Sequence, residues 1–256
     1  WCPRPGTTRG FYAYDEVGCR LGVEPIAAAR TPGRRRVVLV GGSFARGDEV
    51  AGDETWAARL DADLADVELA NLGVGGFGAD QAWLRLRRDG LQLEPDEIWL
   101  AFFPQATARL LSTYRPALQH YTPQLAIKPR LLLEDDPAAA SLPVGDLPGV
   151  RLLPMPVERL ADVPALITTP ERFAAATELD RWVARDRLAW SAPSWHPLHA
   201  TALGRLWLTL RVREPRVAGP LLAEERGELP RLVTAVARGM AADAASVGAR
   251  FRLIVL

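Results

Sequence analysis

The sequence predicts an α/β protein whose core is a parallel, doubly wound β-sheet. Three segments of strand character, at residues 37–40, 67–72 and 98–103, alternate with segments in which apolar residues recur at helical spacing. Such an alternation is typical of parallel strands joined by right-handed crossovers. The length of 256 residues and the 48% hydrophobic content suffice for one large α/β domain with a sizeable core.

The first predicted strand leads directly into a turn that contains a serine. Residues 37–40 are all aliphatic, which suits a central strand buried on both faces, and Gly41, Gly42, Ser43 and Phe44 follow. Two adjacent glycines permit a tight backbone turn close to a ligand. We therefore expect Ser43 at the carboxyl end of a strand, where open α/β sheets bind their ligands.

A helix is predicted after this turn. Asp53 is a candidate cap for its free amide groups, and Trp56, Leu60 and Leu64 recur at the spacing of one helix face. These three apolar side chains are predicted to face the core.

The second and third strands complete the repeat. The second strand ends in a glycine-rich turn at residues 73–78, and a helix is predicted over residues 80–91 with Trp83 facing inward. The third strand, residues 98–103, is followed by Gln105.

The remaining sequence is predicted to hold an insertion and a fourth strand. An extended N-terminal segment over residues 1–35 precedes the α/β domain, residues 36–256. Apolar runs at residues 130–133 and 150–153 flank a polar loop and predict a β-hairpin within an insertion at about residues 104–175. Further segments are predicted as helices over 178–190 and 199–213 and from 222 or 229 to 245, and as a strand over 251–256. Because no ligand-facing loop follows that last strand, we expect the chain to be truncated.

Composition limits the partners that the sequence predicts. The 31 basic and 31 acidic residues cancel, and no basic run with interleaved aromatic residues occurs, so nucleic acid is not a predicted partner. No apolar stretch of about 20 residues predicts a membrane span. The chain begins at Trp1 rather than methionine, so localisation, cytoplasmic or exported, stays open, as does the oligomeric state. Cys2 and Cys19 lack the paired spacing of a metal or redox motif, and a disulfide between them is left open.

Two nucleotide-binding interpretations of the glycine turns are weaker than a third. Gly42 and Gly47 have the spacing of a phosphate-binding loop, but Asp48 and Glu49 stand where lysine and Ser/Thr are needed, which excludes it. Residues 73–78 match the dinucleotide pattern G-x-G-x-x-G. That turn follows the second strand instead of the first, and the expected acidic residue is missing, so a dinucleotide site is a distant alternative.

The third interpretation uses all three strand ends together. Neighbouring parallel strands lie about 5 Å apart, so a serine, a glycine amide and a side-chain amide at three strand ends can converge. Such a set can act as a nucleophile with an oxyanion hole. By contrast, a serine after a strand also commonly caps the next helix, and Asn71 is expected to hold its turn by side-chain bonding.

These three blocks resemble the SGNH, or GDSL-like, hydrolase superfamily. The matching segments are residues 41–44, 71–76 and 102–105, and residues 11–15 and 128–130 also resemble a bacterial branch that carries such an insertion. The resemblance implies a three-layer α/β/α flavodoxin-like fold and ester or acyl-group chemistry without a metal or an organic cofactor.

The resemblance also implies roles for individual residues. Ser43 would be the nucleophile, its own amide and that of Gly76 would donate to the oxyanion, and Gln105 would be the third donor. The sequence departs from the family at two positions, since Gly42 replaces an aspartate and Gln105 replaces an asparagine.

The catalytic base that the family uses is not found in the sequence. Members carry it as the histidine of a carboxyl-terminal D-x-x-H block, whereas the histidines of this chain, His120, His196 and His199, stand in other contexts. We expect the aspartate and histidine beyond Leu256.

Two hypotheses follow. The first is a serine hydrolase or acyltransferase that acts on small acyl esters, for example O-acetyl groups on carbohydrate. The second is a catalytically inactive SGNH-like domain that binds an acylated glycan or a protein partner.

Overall fold

The structure is a computed structural model that describes residues 3–118, 127–185, 201–204, 206–207 and 227–256. The chain divides into two compact units. The first is formed by Trp1–Thr107 with Val233–Leu256, and the second by Ala108–Leu232.

A four-stranded parallel sheet forms the centre of the first unit. Its strands are β3 (Arg35–Gly41), β4 (Val67–Asn71), β5 (Glu97–Phe102) and β8 (Arg250–Val255). Their order is β4-β3-β5-β8, and all three pairings are parallel. The parallel sheet predicted from the sequence is thus confirmed, and each of its strands lies within one or two residues of the predicted range.

Helices cover both faces of this sheet. Val37 and Leu39 of β3 lie in one apolar cluster with Ala57 of helix α2 (Trp56–Asp63). On the opposite face, Val38 lies close to Gly90, in the segment that follows helix α3 (Ala79–Arg85). The alternation of side chains along β3 therefore gives the predicted three-layer α/β/α arrangement.

The long helix α8 (Glu228–Ser246) contributes to the second of these faces. A Cβ at Gly239 would lie only 2.1 Å from the Trp83 ring, so the absence of a side chain lets the indole pack against the helix backbone. The indole N–H of Trp83 also donates to Asp243, at 2.7 Å. The prediction that Trp83 faces inward is confirmed, since its side chain is fully buried.

Helix α2 differs from its prediction in two respects. Its N-terminal cap is Thr55, whose hydroxyl accepts a hydrogen bond from the Ala58 amide at 3.1 Å, and not Asp53. Leu64 is 37% exposed, because the helix ends at Asp63 and Leu64 is already extended. Trp56 and Leu60 do pack against the apolar cluster of the sheet, as predicted, beside the buried Ala57.

The predicted helix over residues 80–91 is not a uniform α-helix. After α3 the chain forms a π-helical turn, Leu86–Gly90, and a 3₁₀ turn, Leu91–Leu93. A Cβ at Gly90 would lie 2.9 Å from Leu86 and 3.1 Å from Val38. The absence of a side chain at Gly90 therefore allows this irregular segment to pack directly on the sheet.

The N-terminal segment, predicted as extended, forms a small hairpin and a compact loop. Strands β1 (Thr8–Arg9) and β2 (Tyr12–Ala13) pair antiparallel. The Asp15 carboxylate then accepts backbone hydrogen bonds from residues 17, 19 and 26 and so closes the loop. Cys19 is buried inside it, and burial raises the pKa of its thiol. Cys2 lies outside the described residues.

The second unit contains the predicted β-hairpin. Strands β6 (Arg130–Leu133) and β7 (Val150–Leu153) pair antiparallel at the predicted positions, which confirms that prediction. Among its described residues, the unit also contains the short helices α4 (Arg115–Leu118), α5 (Val163–Thr168), α6 (Pro170–Ala176) and α7 (Arg181–Arg185). The helix predicted over 178–190 is described only as far as residue 185, and most of the one over 199–213 falls outside the described residues.

Candidate functional site

Ser43 lies where the sequence predicts it, at the carboxyl end of the central strand β3. It is the first residue of the short helix α1 (Ser43–Arg46), which begins two residues after the strand ends. The sharp turn depends on Gly41, because a Cβ there would lie 2.8 Å from the Ala101 carbonyl and 2.9 Å from Ala45. The indole N–H of Trp56 donates to the Phe44 carbonyl at 2.9 Å and ties α1 to α2.

The Ser43 hydroxyl is not used to cap α1. Gly42 occupies the N-cap position, and no side-chain hydrogen bond caps this helix. The Ser43 carbonyl accepts from the amides of Gly47 and Asp48, at 3.0 and 3.1 Å, which closes the helix. Within the described part of the chain, no hydrogen bond involves the Ser43 hydroxyl, which is half-buried. The sequence left open that Ser43 caps the next helix, and the structure does not show Ser43 in that role.

The glycine-rich turn that follows β4 is packed against α1. The Asn71 side chain bridges the two, since its amide donates to the Ala45 carbonyl at 2.8 Å and its oxygen accepts from the Gly73 amide at 2.9 Å. A Cβ at Gly73 would lie 2.4 Å from the backbone nitrogen of Arg46. Asn71 thus holds its turn by side-chain bonding, as expected, and it also fixes that turn to the segment that carries Ser43.

Gly76 lies in the same turn and has a left-handed backbone, with φ of +84°. Glycine adopts this conformation without strain. The structure therefore brings the segment of Ser43 and the turn of Gly76 to one edge of the sheet, the edge formed by the carboxyl ends of β3 and β4.

Gln105, the predicted third donor, is linked to Ser43 less directly than the turn of Gly76 is. It lies in the 3₁₀ segment Pro104–Leu111 after β5, and its side chain is exposed. The ends of β3 and β5 meet through an aromatic pair, in which the rings of Phe44 and Phe103 lie 4.5 Å apart. No hydrogen bond joins the Gln105 amide to Ser43 or Gly76 among the residues that the structure describes.

The three histidines of the sequence, His120, His196 and His199, all lie outside the described residues. The described geometry around Ser43 therefore includes none of them.

A cluster around Arg46 was not predicted from the sequence. The Arg46 guanidinium lies over the Tyr12 ring, 4.1 Å from its centroid, and its Nε donates to the Asp48 carboxylate. Burial acts to lower the pKa of Arg46, but the hydrogen bond and charge of Asp48 outweigh it, so the pKa is raised. The aromatic run at residues 11–14 was the only sequence signal for this cluster.

The packing of the glycine turn bears on the dinucleotide alternative. In dinucleotide sites, glycines allow the backbone to approach a pyrophosphate. In this turn the space beside Gly73 and Gly75 is filled by α1 itself, because Cβ atoms at these positions would lie 2.4 and 2.3 Å from atoms of Arg46. Internal packing therefore accounts for these glycines. Among the described residues, no group of three His, Cys, Asp or Glu side chains could hold a metal ion.

No helix in the described part of the chain is both long and apolar enough to cross a membrane.

Comparisons with known proteins give remote structural similarities. No family model matches the chain, and no curated protein matches it. Among solved structures, AlinE4, an SGNH-hydrolase family esterase, is 19% identical over 28% of this chain, with a TM-score of 0.24. The chain covers 41% of the length of AlinE4. LAE5, an alpha/beta hydrolase enzyme from the metagenome of Lake Arreo, Spain, is 12% identical over 85% of this chain and 75% of its own, with a TM-score of 0.28. At these TM-scores the similarities carry no argument about activity.

Proposed function

We propose that the protein is an SGNH-type serine hydrolase or acyltransferase that acts on small acyl esters, with Ser43 as the nucleophile. O-acetyl groups on carbohydrate are the substrate class that we favour. The observation that carries the proposal is the Ser43 hydroxyl, which is half-buried at the carboxyl end of the central strand and makes no capping bond. The glycine turn of the neighbouring strand is fixed beside it through Asn71.

The reaction would proceed through an acyl-enzyme. The Ser43 oxygen attacks the ester carbonyl carbon while its proton passes to a base, and the carbonyl oxygen becomes an oxyanion. The amides of Ser43 and Gly76 and the side chain of Gln105 are the proposed donors to this oxyanion. Collapse of the tetrahedral intermediate expels the alcohol with a proton from the base. Water, or a second alcohol in a transferase, then takes the acyl group from Ser43 and restores the hydroxyl.

The experiment uses protein expressed from the complete reading frame. Turnover of p-nitrophenyl acetate and of an acetylated oligosaccharide is measured for the natural protein and for Ser43→Ala. We expect a loss of at least about 10³-fold in kcat. Ser141→Ala, which removes an exposed hydroxyl, is the control. A fluorophosphonate probe should label the natural protein at Ser43. Unchanged turnover in Ser43→Ala would rule out the proposed nucleophile.

A second candidate function is an inactive domain that binds an acylated glycan or a protein partner. Gly42 and Gln105 favour it, because both replace residues that the family uses, and the Gln105 side chain is exposed. Calorimetry with the acetylated oligosaccharide distinguishes the two. Saturable binding without turnover or serine labelling supports the binding domain, and turnover that depends on Ser43 excludes it.

A further inference from the structure

The Arg46 side chain is held from two sides. Its guanidinium lies 4.1 Å from the centroid of the Tyr12 ring, and it is paired with Asp48. Only 18% of the Arg46 side chain is exposed. Tyr12 also fixes the loop that contains Asp48, since its hydroxyl accepts from the Glu49 amide at 3.2 Å. The N-terminal hairpin therefore determines where this guanidinium lies.

The guanidinium in turn lies against the glycine turn. A Cβ at Gly75 would be 2.3 Å from Nη2 and 2.7 Å from Cζ of Arg46, so the guanidinium occupies the space that a side chain would need. The backbone of Arg46 touches the same turn at Gly73, where a Cβ would lie 2.4 Å from the Arg46 nitrogen. Arg46 thus contacts the turn with both its backbone and its side chain, three residues after Ser43.

We propose that Arg46 is a positioning residue that holds the turn of residues 73–78, and with it the Gly76 amide, in the place required for oxyanion binding. This inference rests on the proposed function. Tyr12 acts through Arg46, so the N-terminal hairpin becomes part of the site although it supplies no reacting group.

The geometry requires an arginine. A guanidinium is planar and stacks on an aromatic ring while its Nε and Nη atoms point in fixed directions, whereas an ammonium does neither. An exposed ion pair alone would contribute little. The close packing of a mostly buried guanidinium between the Tyr12 ring and Gly75 is what gives the contact a positional effect.

The experiment compares Arg46→Ala, Arg46→Lys and Tyr12→Leu with the natural protein, again from the complete reading frame. Hydrogen exchange of the peptide over residues 72–78 is measured with kcat and KM for p-nitrophenyl acetate. In Arg46→Ala we expect exchange about tenfold faster and kcat about 10- to 100-fold lower, below the 10²- to 10³-fold cost of removing an oxyanion donor. KM should change less than about twofold, because the effect concerns the transition state.

The other variants separate charge from shape. The exchange rate and kcat of Arg46→Lys should remain close to those of Arg46→Ala. Those of Tyr12→Leu should fall between the values of Arg46→Ala and of the natural protein. Arg59→Ala removes an exposed arginine from α2 and should leave both exchange and kcat unchanged. Thermal midpoints of all variants show whether a loss of kcat reflects unfolding.

The outcomes are distinct. Unchanged exchange over residues 72–78 in Arg46→Ala overturns the inference, as does unchanged kcat in an otherwise active enzyme, and full recovery by Arg46→Lys overturns the role of the planar group. If the natural protein shows neither turnover nor labelling of Ser43, the proposed function fails. In that case the exchange measurement still decides whether Arg46 holds the turn.

Discussion

Arg36 on β3 and Glu68 on β4 stand opposite each other in the parallel register and form a buried ion pair, with Nε 2.6 Å from the carboxylate. The other two nitrogens of the guanidinium donate to four backbone carbonyls. These belong to residues 27, 28, 29 and 93. All donor directions of Arg36 are therefore satisfied inside the protein, and the N-terminal segment is tied to the sheet.

Replacing Arg36 with methionine should be strongly destabilising. Arg36→Met leaves the buried Glu68 carboxylate without its ion-pair partner and several backbone carbonyls without a donor. Removal of one member of a buried ion pair costs about 3–5 kcal/mol. Urea unfolding measures the change in the free energy of unfolding. Arg30→Met is the control, because Arg30 pairs with Asp96 at an exposed position and should cost less than about 1 kcal/mol. A similar small cost for Arg36→Met would contradict the assigned role.

The Glu97 carboxylate joins three neighbouring strands and should make stability depend on pH. It accepts from Arg35 of β3, from Arg252 of β8 and from the Trp99 indole. Burial acts to raise the pKa of Glu97, but hydrogen bonds from Arg252 and Trp99 outweigh it, so the pKa lies below the ordinary value.

A lowered pKa in the folded state means that the unfolded state binds the proton more readily. The stabilisation is therefore present above the unfolded pKa, about 4.3, and is lost as the pH falls through the lower folded value. We expect the free energy of unfolding, measured with urea, to depend less on pH below about pH 5 in Glu97→Gln than in the natural protein. The pKa of Glu68 is also lowered, so the variant should keep part of the pH dependence. Equal slopes of unfolding free energy against pH in the two proteins would refute this prediction. Asp53→Asn controls for the loss of an exposed carboxylate.

The sheet was predictable from sequence because its central strand contains an apolar run with a clear end. Residues 37–40 are buried on both faces, and the sequence shows this as an unbroken aliphatic run. The cap of α2 was mispredicted because Asp53 and Thr55 are both good caps, and sequence alone does not tell which residue first adopts helical geometry. The hairpin at Tyr12 was missed because its two strands have only two residues each.

The candidate site was predictable to a similar degree. Ser43 and the glycine turn are local motifs at strand ends, so they could be located from sequence. The contacts of Arg46 were not predictable, because they join a residue close to Ser43 to a ring 34 positions earlier in the chain and to a glycine in the turn after another strand. Such contacts depend on tertiary packing, which leaves no periodic signal.

Asp180 should be essential to the second unit. Its buried carboxylate accepts on one oxygen from the amides of Trp182 and Val183, and on the other from the amides of Thr113 and Tyr114. The hydroxyls of residues 112 and 113 also lie within hydrogen-bond distance of the second oxygen.

In Asp180→Asn, either orientation of the new amide would point its NH₂ group at two backbone N–H groups. Because buried amides would then lack an acceptor, we expect a loss of about 3 kcal/mol or more in the free energy of unfolding, nearly as large as for Asp180→Ala. Urea unfolding followed by circular dichroism provides the measurement. Asp162→Asn, which removes an exposed carboxylate paired with Arg159, should change stability by less than about 1 kcal/mol. Near-natural stability of Asp180→Asn would show that these hydrogen bonds are not needed.

Asn71 should control the geometry of the candidate site through two separable hydrogen bonds. Asn71→Ala loses both the donor to Ala45 and the acceptor for Gly73, and should cost about 2 kcal/mol because buried backbone groups lose their partners. Asn71→Asp keeps an acceptor for the Gly73 amide but turns an oxygen toward the Ala45 carbonyl. Hydrogen exchange should therefore show a deprotected Gly73 amide in Asn71→Ala and a protected one in Asn71→Asp, while both variants loosen residues 45–48. Gln92→Ala, at an exposed position, is the control. If both variants leave exchange of residues 45–48 unchanged, the turn is held to α1 by packing at Gly73 rather than by the Asn71 bridge.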